Sequence, residues 1–192
     1  MIRDYIIIDD VLDDPDELVF LAKMITYYSK EKEPIDGIRL RDDHDNPEIL
    51  DSHWRGFHSE YLHSINNGIF SKVFKNVCEK VFSDLGNQVF YRYNVKSHLH
   101  YSPGSIEYNE NWWHTDPNTI FAGVIYLNQN PEKNSGTIVK LNGQEIVFEN
   151  VFNRLVLYRS NIEHRPHGCF GDNVDNCRLV LPMFFKEISL KS

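Results

Sequence analysis

Trp113-His114-Thr115-Asp116-Pro117 sets a histidine and an aspartate two positions apart, so on an extended segment both side chains leave from the same face. An imidazole and a carboxylate so placed can ligate one metal ion, although a histidine that simply hydrogen-bonds a neighbouring acid would use the same residues. Weight comes from further along the chain. Arg154-Leu-Val-Leu-Tyr-Arg-Ser-Asn-Ile-Glu-His164 has the pattern of a buried strand that runs out into a polar turn and presents a third ligand. Two histidines and one carboxylate on one face of an octahedral ion leave three positions open, which is the arrangement that serves Fe(II) oxygen chemistry. Thiolates are not required. Cys78, Cys169 and Cys177 are odd in number and lack C-x-x-C spacing, which argues for reduced thiols rather than a disulfide framework or a zinc site.

Arg178 opens the run Cys177-Arg178-Leu-Val-Leu-Pro-Met-Phe-Phe185, whose flanks are apolar on both faces. A guanidinium there needs an anion, and its planar fork suits a carboxylate. A dicarboxylate that chelates the metal at one end and pairs with Arg178 at the other would meet both needs; a surface arginine at a strand end is the plainer alternative. His167 competes with His164 for the third ligand position, lying eleven rather than fourteen residues before Arg178. His164 is favoured, since Pro166 constrains the backbone just before His167. His98-Leu99-His100, with Glu107 downstream, is a rival same-face pair of the cupin kind. It leaves Arg178 unexplained, so two satisfied or partly exposed histidines beside the site are the preferred reading. Trp112 and Trp113 point to opposite faces and cannot both line a pocket. Arg165 either meets an acidic substrate or sits exposed in a turn. His44, His53, His58 and His63 lack ligand spacing and read as solvated or capping residues.

In order and spacing, His114-x-Asp116, His164 and Arg178 resemble the signature of Fe(II)/2-oxoglutarate-dependent oxygenases. Ala122-Gly-Val-Ile-Tyr-Leu-Asn128 followed by Ser135-Gly136-Thr137 resembles the strand and glycine turn after the metal pair in prolyl-hydroxylase-like members, and the chain has a general likeness to small bacterial and phage ones. The resemblance implies His114, Asp116 and His164 as metal ligands, Fe(II) and 2-oxoglutarate as cofactors, and Arg178, assisted by Tyr126, as the holder of the 2-oxoglutarate tail. It implies a hydroxylase that releases succinate and CO2. It also implies the fold: a double-stranded β-helix, a jelly-roll or cupin-like barrel, with supporting N-terminal helices. The likeness covers roughly residues 89–185. Asn111 departs from it, standing three before His114 where collagen-type members often carry tyrosine, and implies different contacts there.

Those residues need a scaffold. With 192 residues, 41% hydrophobic and 13% aromatic, the chain can bury one substantial core. The expectation is a single α+β domain over 1–192, with helical support and a long loop over 1–88 and a strand core over 89–188. Tyr5 to Ile8 is a β-branched run. Asp13-Asp14-Pro15 then supplies a helix cap and a first-turn proline, predicting a helix over about 15–25. Residues 27–59 are polar and proline-bearing and read as a lid. Helical spacing returns over 60–85 with a break near Gly68, and strand patterns follow over about 89–95, 112–116, 120–127, 136–141, 144–148, 154–158 and 178–185.

A formal charge of −8 without a Lys/Arg run argues against nucleic acid as the main partner. The first twenty residues resemble neither a signal peptide nor a membrane span. The expectation is a cytoplasmic enzyme with no membrane partner, acting on a small molecule or a protein side chain. Two other readings fit the same residues: a catalytically inactive barrel used for binding or assembly, and a zinc hydrolase on the same ligand set.

Overall fold

The computed structural model describes residues 4–29, 56–81, 91–106, 112–132 and 134–190. Along the chain come β1 (Tyr5–Ile8), α1 (Pro15–Met24), β2 (Tyr28–Ser29), β3 (Phe57–Tyr61), α2 (Leu62–Ile65), α3 (Asn67–Val81) and β4 (Tyr91–Ser102). These are followed by β5 (Phe121–Tyr126), β6 (Gly136–Leu141), β7 (Gln144–Glu149), β8 (Leu155–Arg159), β9 (His164–His167) and β10 (Arg178–Leu190). The strands form two antiparallel sheets. The larger has the order β1-β8-β5-β10-β4-β3-β2 and the smaller β7-β6-β9. From β5 onward the chain changes sheet at every connection except the β6–β7 hairpin. That hairpin turns at Asn142-Gly143, with φ of 51° and 76°, and only glycine adopts the second of these at no steric cost.

Strand periodicity explains how the larger sheet carries two cores. Side chains alternate between faces, so Leu155 and Leu157 of β8 face one way and Val156 and Tyr158 the other. The first set joins Ile125, Leu181, Met183 and Phe185 in a cluster with Leu18 and Ala22 of α1 and Val73, Phe74 and Val77 of α3. The second joins Ala122, Val124, Tyr126 and Val180, packed against Val139 and Phe148 of the smaller sheet. The molecule is therefore layered as helices, large sheet and small sheet, and β5 is buried along its whole length. Each such side chain contributes roughly 1.5–3 kcal/mol of burial.

The helices follow their capping chemistry. Asp14 accepts a hydrogen bond from the Glu17 amide at 3.2 Å, and Pro15 opens α1. The helix expected over 60–85 is replaced at its start by β3 and the single turn of α2. Its break falls at Asn66 rather than Gly68, because the Asn66 side chain accepts from the Ile69 amide at 3.0 Å and caps α3.

Four strand expectations need correction. β4 runs on through His98 and His100 to Ser102. Residues 112–116 form no strand, only a single bridge from His114 to His164. β9 forms where a polar turn was expected; it lies at the edge of the small sheet, where the missing N–H of Pro166 is tolerated. β10 continues past a bulge between Phe185 and Glu187. Most of the expected lid, with His44 and His53, lies outside the described residues, as do Glu107 and Asn111. Its described ends pair with each other, Tyr28 opposite His58. Among the described residues no helix is long and apolar enough to cross a membrane.

Candidate metal centre

The segment from Trp112 to Asp116 lies along the free edge of β9 like a vestigial fourth strand. His114 and His164 exchange both backbone hydrogen bonds (3.1 and 2.9 Å), and the Asp116 amide donates to the Ser160 carbonyl at 2.9 Å. Thr119 closes the turn that follows by donating to the Asp116 carbonyl at 2.9 Å. These bonds bring two side chains from the arm and one from the start of β9 to the same point. One ligand atom from each of His114, Asp116 and His164 lies within 4.8 Å of the others, and among the described residues no other His/Cys/Asp/Glu group of three does this. His167 is left out because it lies three residues along the strand from His164 and so projects to the opposite face.

The hydrogen bonds around the imidazoles define what the site can hold. His114 Nδ1 lies 3.0 Å from the Trp112 carbonyl and His164 Nδ1 2.9 Å from the Ile162 carbonyl. A carbonyl oxygen only accepts, so in both neutral rings the proton sits on Nδ1 and the lone pair on Nε2. His164 Nε2 stands 3.2 Å from Asp116 Oδ2, with both side chains largely buried. That carboxylate oxygen has no hydrogen-bond partner. Two lone pairs facing each other out of water are repulsive until a cation stands between them. Backbone carbonyls that orient ligating histidines are a regular feature of metal sites. The Tyr158 ring lies tilted against the His164 ring, their centres 4.7 Å apart. Burial pushes its phenol well above the ordinary range, and the neighbouring Asp116 adds to this.

The three residues line a cavity between the sheets whose other walls include His100, Ser102, Trp112, Thr137, Cys169 and Arg178. Arg178 is 4% exposed. One of its nitrogens, Nη2, donates to the Gly136 carbonyl at 2.9 Å, while its Nε has no hydrogen-bond partner. A buried guanidinium with donor capacity to spare, opening on the same cavity, can take an anion there. Tyr126 does not line that cavity. It is fully buried behind Arg178, its ring centre 5.9 Å from the guanidinium carbon, and its hydroxyl donates to Thr137 Oγ1 at 2.8 Å.

Other sequence expectations divide. Of the tryptophans, Trp112 lines the cavity and Trp113 turns away. His98 and His100 are both buried rather than partly exposed, and only His100 reaches the cavity; His98 stacks on Phe184 at 6.4 Å. His58 is half-buried in β3 with its ring 6.0 Å from His98, whereas His63 is exposed, as expected, and stacks on Tyr61 at 5.6 Å. Arg165 is buried rather than exposed in a turn. Burial, with Arg165 and Arg178 nearby, pulls the His167 imidazole below its usual value. The polar cavity residues given no role beforehand were Ser102, Thr137, Tyr158 and Cys169. Thr137 carried a signal in the Ser135-Gly136-Thr137 turn and Tyr158 in its alternating strand; Ser102 and Cys169 carried none.

The sequence matches no family profile and no curated protein. Solved structures do resemble this one. A prolyl hydroxylase from Trichoplax adhaerens, in complex with a hypoxia inducible factor oxygen degradation domain peptide fragment, superposes with a TM-score of 0.61 at 12% identity, over 95% of this chain and 83% of that one. An oxidoreductase of the 2OG-Fe(II) oxygenase family from Burkholderia pseudomallei gives 0.59 at 11%, over 95% and 84%. A prolyl-4-hydroxylase from Pseudomonas putida gives 0.56 at 14%, over 95% and 92%. At these identities the likeness is one of fold.

Proposed function

We propose that this protein is an Fe(II)/2-oxoglutarate-dependent oxygenase on a double-stranded β-helix, with His114, Asp116 and His164 as iron ligands and Arg178 as the anchor for the cosubstrate. The observation that carries the reading is a buried, orphaned Asp116 oxygen facing the lone pair of His164, in a cavity that also holds the incompletely satisfied Arg178. The donor set, two imidazoles and one carboxylate, suits Fe(II) with open positions. When bound, iron and 2-oxoglutarate supply oxidative decarboxylation to succinate and CO2 coupled to substrate hydroxylation.

The chain's own part is positioning. The two backbone carbonyls hold each imidazole in the ligating tautomer. Arg178, with Tyr126 and Thr137 behind it, receives the distal carboxylate of the cosubstrate. Val124, Val180, Pro182 and Phe184 supply an apolar wall that limits water around the reacting centre. A zinc hydrolase on the same ligands does not require a buried guanidinium with an open donor, and a binding module needs neither feature. The substrate class we favour is a small molecule or a protein side chain.

The test is anaerobic reconstitution with Fe(II), then O2-dependent formation of succinate from 2-oxoglutarate. Turnover that is absent in His114→Ala and Arg178→Ala but present in the parent supports the reading. A parent that binds neither Fe(II) nor 2-oxoglutarate ends it.

A further inference from the structure

On its inner side the arm that carries His114 and Asp116 is held by the backbone bonds to His164 and Ser160 described above and by the buried Trp112. Its outer side carries Trp113, which faces away from His114 by strand alternation. There the indole lies between two cations: Lys140 Nζ is 4.0 Å from the ring centre and the Arg165 guanidinium carbon 4.7 Å. The two cations come from different strands of the small sheet, Lys140 from β6 and Arg165 from β9. The pairing of Ile138 with Arg165 and of Lys140 with Glu145 puts both on the outer face, opposite His164. Each cation has its own acid, Glu163 at 3.8 Å from Lys140 and Glu145 at 3.9 Å from Arg165. The result is a row of alternating charge with an indole at its centre, running across the back of the metal ligands.

We propose that Trp113, Arg165 and Lys140 form a clip that fixes the arm against the small sheet, making them positioning residues for His114 and Asp116. Cation–π contacts strengthen when desolvated, and Arg165 is 7% exposed. Arg165 follows directly after His164, and Trp113 directly before His114. One contact therefore joins the two chain segments that supply all three ligands, and Arg165 also forms part of the wall of the cavity they line. The mechanical role stands without the oxygenase reading; the consequence for iron binding rests on it.

The test uses the full chain. Amide hydrogen exchange at His114 and Asp116 is measured on metal-free protein for the parent, Trp113→Leu, Arg165→Met and Arg165→Lys, and Co(II) affinity and visible spectrum are measured alongside. Expected are about ten-fold faster exchange at both amides in Arg165→Met and Trp113→Leu, at least ten-fold weaker Co(II) binding, and near-parent values in Arg165→Lys, which keeps the cation. Amides of β5 and β10 stay as protected as in the parent, which separates release of the arm from unfolding; should Trp113→Leu not fold, Arg165→Met alone decides. Unchanged exchange in Arg165→Met, or the same acceleration in Arg165→Lys, overturns the clip. If exchange accelerates as expected while the parent binds no Co(II) at all, the clip stands and the oxygenase reading falls.

Discussion

Replacing Arg178 by methionine separates a ligand-binding arginine from a structural one. The guanidinium is almost fully buried, donates to the Gly136 carbonyl and also interacts with the Tyr126 hydroxyl. If it receives the distal carboxylate of 2-oxoglutarate, truncation leaves that carboxylate buried without its counter-charge, a loss of about 2–5 kcal/mol. Binding should weaken by about 30-fold to about 5,000-fold, since each 1.4 kcal/mol is tenfold. Stability should move little. Replacing a buried charge with an apolar side chain of similar length is neutral or favourable by about 1–4 kcal/mol, offset by about 1–3 kcal/mol for the Gly136 carbonyl that loses its donor. The two nearly cancel, so the melting temperature should stay within about 5 °C. The assay is calorimetric titration of 2-oxoglutarate into Mn(II)-loaded protein under nitrogen, with thermal melts of the same samples. Arg178→Lys keeps the charge but not the fork and should fall between parent and methionine. Affinity within threefold of the parent, together with a melting temperature lowered by more than about 15 °C, would show that Arg178 is structural and refute the reasoning.

Four further outcomes follow from the geometry. His164→Ala should abolish Co(II) binding, whereas His167→Ala, on the opposite face of β9, should leave it within threefold; equal effects would reopen the choice of third ligand. Phe74→Ala removes a fully buried ring packed on Phe70 and Phe185 and should cost about 3–5 kcal/mol in denaturant unfolding. Gly123→Ala would put a Cβ 2.3 Å from the Val156 carbonyl, so the β5–β8 pairing must open, and a well-folded variant with an unchanged denaturant midpoint would contradict the close approach seen here. Arg154 grips Asp9 with two hydrogen bonds of 2.5 and 3.0 Å, chiefly through which the Asp9 carboxyl is held below its usual 3.8. A carboxyl whose folded value is depressed stabilises above its unfolded value and loses that contribution as pH falls through the folded one. The melting difference between parent and Asp9→Asn should therefore be constant from pH 8 to about 5 and close below about 3.8.

How much of this was legible in the sequence depended on whether a segment's environment was uniform. β5, β6 and β8 stood out because apolar residues crowd strands buried on both faces, and α1 because Asp14 and Pro15 announce its start. β3 and the second half of β4 escaped because Phe57-His-Ser-Glu-Tyr61 and Ser97-His-Leu-His-Tyr-Ser102 are rich in polar residues, of which Ser59, Ser97, His98, His100 and Ser102 are buried, a pattern that period counting takes for loop. β9 escaped because a proline and an arginine in four residues look like a turn, and only its position at an edge makes them acceptable. The histidine and aspartate of the arm were visible as a pair, but the choice between His164 and His167 required knowing which face of a strand each occupies. Trp113 and Arg165 adjoin ligands in the sequence, yet nothing in their spacing shows that they meet.

The place of β10 also bears on how the molecule assembles. It pairs with β4 on one side and β5 on the other, so the large sheet consists of two separate halves until the last described strand arrives between them. β1 likewise waits for β8, roughly 150 residues along, leaving the β6–β7 hairpin as the principal local pairing. Contacts of such long sequence separation place folding toward the millisecond-to-second end of the range. His114, Asp116 and His164 all precede β10 in the chain, whereas Arg178, Val180, Pro182 and Phe184 lie on it. The charged and apolar wall of the cavity therefore joins the three residues only when the two halves of the large sheet are closed.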